Sequence, residues 1–189
     1  MFSRSDRFAS ALPVAGLMLL MLATRFHHFG SSIYLPDASL AVFFLAGLFL
    51  SWRWFPLLIV LAAGIDFAAT SWAGVSDFCI TPAYGFLLPT YASLTLGGLW
   101  SRRYLQLGSN DLPMMTLMAV AATTAAFIIS NGSFYFFSGY FASMSFGDYV
   151  TRTAGYYLPY LGWAVFYIAA SLVLVKLARI ALAHRAVSA

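Results

Sequence analysis

The stretch WFPLLIVLAAGIDFAATSW, Trp54–Trp72, holds a single ionisable side chain, Asp66, between tryptophan ends. Wound as a helix at about 1.5 Å per residue, a run of this length reaches about 30 Å, the thickness of a bilayer's hydrocarbon core. The rest of the chain has the same character. Of 189 residues, 62% are apolar and 8% are charged, and the mean hydropathy is +0.84. A water-soluble domain needs roughly 25% charged residues to cover its surface. All six acids are Asp, so long solvated helices are not expected. The formal charge of +4 comes from bases scattered among loops, not gathered into a patch that nucleic acid would require. A single cysteine excludes an intramolecular disulfide and every multi-cysteine metal motif.

Working outward, six apolar segments read as transmembrane helices in one domain over residues 1–189: Phe8–Phe26, Pro36–Ser51, Trp54–Trp72, Thr81–Trp100, Leu112–Ser130 and Tyr156–Leu177. The first follows Arg4 and Arg7 but has no clear small-x-small cleavage site, so it is expected to be retained rather than removed as a signal. With both termini cytoplasmic, Arg4, Arg7, Arg53, Arg102, Arg103, Lys176, Arg179 and Arg185 lie inside, and only Arg25 and Arg152 lie outside. That distribution obeys the positive-inside rule, and tryptophans mark most span ends. The expected fold class is therefore an all-α, multi-pass integral membrane bundle.

The Asn131–Gly155 connection holds Phe134, Tyr135, Phe136, Phe137, Tyr140, Phe141, Phe146 and Tyr149. It reads as an interfacial helix or an extension of the fifth span. It also reads as an aromatic lid over a large ligand, because aromatics bury much area with few rotatable bonds. The two readings are compatible.

Ionisable groups inside a membrane are costly and mark function or pairing. Asp66 must face the bundle, a partner or a water-filled cavity, either as a site residue or as an interhelical hydrogen-bond acceptor. Cys79 lies in DFCITPAY, Asp77–Tyr84. Thr81 and Pro82 form a cap and first helical residue. This puts Cys79 before a helix start that favours thiolate, against the opposing charge of Asp77. A lone thiol is usually a small buried hydrophobe, but a thiolate is also a soft donor for transition metals. Tyr84 is placed to offer its hydroxyl to the same cavity. His27 and His28 end the first span. As neighbours on a helix they point about 100° apart, so at most one faces the site. Ala11 and Ala15 put two small residues on one face, which permits close approach of another helix. Ala121/Ala125 and Ala122/Ala126 share that spacing and equally suit internal packing.

Six short helices, the Ala-x-x-x-Ala of the first, and the segment from Asp66 through Cys79 to Tyr84 together resemble the solitary cobalamin-specific S-components of the energy-coupling-factor type, the BtuM-type vitamin B12 uptake proteins. The resemblance covers the whole chain, and the 66–84 segment is its specific part. It implies a cobalamin cavity open to the periplasm, with Cys79 as axial cobalt ligand. Asp66 and Tyr84, with His27 or His28, would help form the site. It also implies that Ala11 and Ala15 face a membrane-embedded coupling protein, although this type lacks a dedicated energising module. The chain has no Gly-x-x-x-x-Gly-Lys-Ser/Thr motif for ATP. No prosthetic group is expected; cobalamin is the bound substrate. Thiolate donation to cobalt would labilise a trans ligand such as cyanide, which is compatible with a slow ligand-removing activity. Two other readings stand beside it. One is an S-component-like carrier for another vitamin or small solute, which leaves Cys79 idle. The other is a haem-binding subunit, which is poorly served because His184 lies at the opposite side from His27 and His28.

Overall fold

The computed structural model describes residues 4–25, 35–105 and 111–187. Among these residues all regular secondary structure is helical, with seven α-helices: α1 (Arg4–Arg25), α2 (Ser39–Phe49), α3 (Phe55–Trp72), α4 (Leu87–Ser101), α5 (Asp111–Phe137), α6 (Phe146–Ala154) and α7 (Tyr157–Val187). Each of the six expected segments coincides with a helix. Three helical stretches are long and apolar enough to cross a membrane: Trp52–Trp72, Asp111–Phe137 and Tyr157–Ala178. The second segment is shorter than expected, since α2 has 11 residues and reaches only about 16 Å. The fourth begins as a 3-10 turn, Pro82–Phe86, before α4 starts.

α2 is apolar all round and is therefore the core rather than a surface element. Phe43, Phe44 and Leu45 on successive faces are all fully buried. α1, α3, α4 and α7 surround it, and its principal partner is α4. Two glycines permit this. A Cβ on Gly47 would overlap the carbonyl of Thr95, and one on Gly98 would overlap the carbonyl of Phe44, so the two backbones touch. Gly97 plays the same part toward α5, where an added Cβ would meet Ala122. Ala122 and Ala126 are buried, so that small-residue pair is internal packing. Arg102 donates from Nε to the Gly47 carbonyl (2.9 Å) and from Nη2 to the Leu50 carbonyl (2.5 Å), satisfying the C-terminal carbonyls of α2.

Outward faces are apolar: Leu19, Val60, Ile128 and Leu174, from four different helices, are each 64–68% exposed. A continuous surface of that kind requires lipid or protein around it. The aromatic connection is in part an extension of the fifth helix and in part a separate short helix. α5 runs on to Phe137, the chain turns through Gly139 at φ +81°, and the short α6 follows. Ser145 caps α6, accepting from the Asp148 amide (3.2 Å) and donating to its carboxylate (2.6 Å). Tyr135 and Tyr149 donate to the Met144 and Asn131 carbonyls, which ties α6 back onto α5.

Candidate functional site

The site forms where the ends of α1, α3 and α4 meet. Asp66 is one residue beyond Ile65, which is buried in the core, so its side chain emerges at the edge of the bundle rather than into lipid. Its carboxylate is gripped from both sides. Arg25, the last residue of α1, donates from Nε to Oδ1 (2.7 Å) and from Nη2 to Oδ2 (2.6 Å), a bidentate pair. The Tyr84 hydroxyl donates to Oδ2 (2.7 Å). The remaining Arg25 nitrogen, Nη1, donates to the Ser39 hydroxyl (2.8 Å) and the Tyr91 hydroxyl (2.7 Å), and lies 3.5 Å from Asp37 Oδ2. One guanidinium thus joins α1, α2, α3 and α4, with its side chain only 9% exposed.

Cys79 sits in the connection between α3 and the Pro82–Phe86 turn. A tight turn presents it, closed by the Ile80 amide donating to the Asp77 carbonyl (2.7 Å). As the sequence predicts, Thr81 caps the following turn, accepting from the Ala83 amide (3.3 Å) with Pro82 in first position. That turn is five residues long, and its dipole does not set the thiol's state. Partial burial, and then the charge of Asp66, push the Cys79 thiol above its ordinary range. Neighbouring groups shelter part of the thiol, yet the residue as a whole is exposed.

Cys79, Asp66, Tyr84 and Arg25 form a shared wall between two cavities. One, of about 310 Å³, runs toward Phe86, Asn131 and Phe134; the other, of about 590 Å³, runs along Thr70, Val75 and Phe78. The structure therefore brings together three of the sequence-predicted residues, Asp66, Cys79 and Tyr84. His27 and His28 lie outside the described residues. Ala15 is exposed on the outer face of α1, whereas the side chain of Ala11 is outside the described set. Among the described residues no group of three or more His, Cys, Asp or Glu is placed to hold a metal ion.

The aromatic segment borders this site. Phe78, beside Cys79, stacks on Tyr140 (4.5 Å between centroids) and meets Phe134 edge-on (5.6 Å). Phe86 stacks on Phe137 (4.8 Å). These contacts link the end of α5 and the following turn to both flanks of Cys79.

Sequence reasoning missed Arg25, Asp37, Ser39 and Tyr91. A signal for Arg25 was present: a buried carboxylate needs a cation, and Arg25 and Arg152 were the only bases assigned to that side. No family model matches the chain, and no curated protein matches it.

Proposed function

We propose that this protein is a six-span membrane carrier that binds cobalamin from the periplasmic side, with the Cys79 thiolate as an axial ligand to cobalt. The observation that carries the reading is the meeting of the only cysteine with Asp66 and Tyr84 at the boundary of two cavities beneath an aromatic segment. A metal arriving inside a corrin ring already has its equatorial donors. It needs one soft axial donor from the protein rather than a cluster, and Cys79 is exposed and suited to that role. Apolar walls with few polar groups match a corrin, which has an apolar face and amide edges. Cobalamin as a whole, with its amide side chains and nucleotide, is larger than either cavity, and in this reading it straddles the wall at Cys79.

In this reading Asp66 and Tyr84 shape the site, and Arg25 holds Asp66 in place. The resemblance adds His27 or His28 to this set. α1 through α5 and α7 make up the six membrane segments with both termini cytoplasmic, the 11-residue α2 crossing only part of the bilayer within the bundle core, and α6 lies at the outer interface. The exposed Ala15, with Ala11, is the approach surface for a membrane-embedded coupling partner. The basic-residue distribution supports the orientation, and the inner-membrane location is what the resemblance implies.

Visible-light titration of the purified protein with cobalamin tests the reading. Sulfur ligation changes the electronic structure of the metal, so the bound spectrum should differ from that of the free vitamin. Cys79→Ser keeps the shape of the side chain but replaces a soft donor with a poor one, and should abolish the change. A serine variant with the wild-type shifted spectrum would rule out the cobalt–sulfur bond.

A further inference from the structure

A third cavity, of about 330 Å³, lies between the start of α2 and helices α4, α5 and α7. It shares Leu87 and Ser130 with the smaller Cys79 cavity and Asp37 with the larger one. Its walls are aromatic, from Tyr91, Tyr156, Tyr160 and Trp163, and it has one carboxylate, Asp37. The two Asp37 oxygens are unequal. Oδ1 accepts from the Ser39 amide (2.9 Å) and the Ser39 hydroxyl (2.6 Å). Oδ2 has only the ion pair with Arg25 at 3.5 Å, too long and unaligned for a hydrogen bond. Among the described residues Oδ2 receives no hydrogen bond, and the side chain is 38% exposed. Arg25 is mostly committed to Asp66, so one cation serves two carboxylates and the Asp37 end keeps surplus negative charge.

We infer that this cavity is a second binding subsite, which takes the amide-bearing edge of the bound ring, with an amide N–H donating to Asp37 Oδ2 and the aromatics packing on the carbon skeleton. The chemistry selects the class of group. An acceptor with a net negative charge inside an aromatic wall welcomes a neutral or cationic nitrogen donor and repels a carboxylate. The inference rests on the cobalamin reading, because a ligand large enough to reach from Cys79 into a neighbouring cavity is what brings an amide there.

The test compares cobalamin with analogues in which one edge amide is hydrolysed to a carboxylate. Both are titrated into the purified full-length protein and followed by the visible change at cobalt. Wild-type protein should bind at least one such analogue roughly tenfold or more weakly than the amide, since a hydrogen bond to a charged acceptor is lost and a repulsion gained. Asp37→Asn retains an oxygen to accept from the Ser39 amide and hydroxyl, so the local hydrogen bonds at the start of α2 are kept. It should weaken cobalamin binding about tenfold and narrow the amide-over-acid preference, with the spectrum of the saturated complex unchanged. Trp163→Ala should weaken amide and acid forms alike. Wild-type protein that takes every acid analogue as well as the amide would overturn the subsite without any variant. So would an Asp37→Asn protein with the wild-type preference. A normal wild-type cobalamin shift accompanying either result would leave the Cys79 reading standing, whereas no cobalamin binding at all would remove both.

Discussion

α2 and α4 lie side by side, and their two ends are built on different principles. Toward Arg102 the backbones are in contact at Gly47 and Gly98, and Arg102 closes the last carbonyls of α2. Toward Arg25 the same pair is joined through side chains, by Ser39 and Tyr91 sharing one guanidinium, and cavities open around them. Backbone contact of this kind is rigid and tolerates no added atom. A polar network with adjacent cavities can rearrange around a ligand, because its bonds can be exchanged for others of similar strength. The difference places the rigid backbone contact at one end of the bundle and, at the other, the exchangeable polar network on which the proposed binding site draws.

The largest effect that would break this comparison is at Gly98. Gly98→Val places atoms where the Phe44 carbonyl already lies, and neither helix backbone has a free rotamer with which to yield. The expected loss exceeds about 3 kcal/mol, beyond ordinary core overpacking, and should appear as loss of a thermal transition in detergent. Gly64→Ala is the control, because its added Cβ meets nothing within 4 Å. It should be neutral or stabilising by up to about 1 kcal/mol. A Gly98→Val protein that melts like wild type would show that α2 and α4 are not in contact there.

Next is the polar end. Arg25→Met leaves Asp66 charged with Tyr84 as its one remaining partner. Breaking a buried pair from one side costs about 3–5 kcal/mol. Asp66 keeps 23% side-chain exposure, so the lower end of that range is expected. Arg25→Met with Asp66→Asn should recover most of the loss, because no charge is then stranded. Failure of the double variant to recover would mean that Ser39 and Tyr91, rather than Asp66, depend on the guanidinium. Tyr84→Phe removes one hydrogen bond to an oxygen that Arg25 still holds, and about 1 kcal/mol is expected. The thermal midpoint in detergent checks all three variants, and their order is itself the prediction.

The same contrast explains what the sequence could disclose. The helices were legible because each is an apolar run bounded by polar or aromatic residues, a local property. Asp66, Cys79 and Tyr84 were legible as a group because 18 positions of chain hold them, with Thr81 and Pro82 supplying readable local geometry. Arg25 pairs with Asp66 across 41 positions, and only a charge-balance argument reaches that far. Asp37 resembles an ordinary loop acid until the cavity behind it is seen. Gly47 and Gly98 carry no periodic signal at all, since their necessity depends on α2 choosing α4 as its neighbour. α6 was half visible: its nine residues are too short and too amphipathic to stand out within an aromatic segment.

The smallest expected effect concerns the acidity of Cys79, and it sharpens the account of the binding end. Neutral alkylating reagents react with thiolate, so their rate follows the ionised fraction. Burial and the Asp66 charge both disfavour the thiolate. A raised pKa means the protonated form persists to higher pH, so alkylation at neutral pH should be slower than for a free cysteine. The rate should go on rising after free cysteine has levelled off. Asp66→Asn removes the negative charge and leaves the Arg25 cation with only the longer ion pair to Asp37, so the midpoint should move down. The proposed cobalt–sulfur bond would need the same ionisation. Complex formation should therefore release the thiol proton and strengthen as pH rises toward the Cys79 midpoint, while Cys79→Ser loses that dependence. Iodoacetamide labelling followed by intact-mass measurement across pH checks the free protein, and the visible titration repeated across pH checks the complex. A labelling midpoint at or below that of free cysteine would mean that the helix start, and not Asp66, governs the thiol, and the charged wall between the two cavities would lose its part in tuning the ligand.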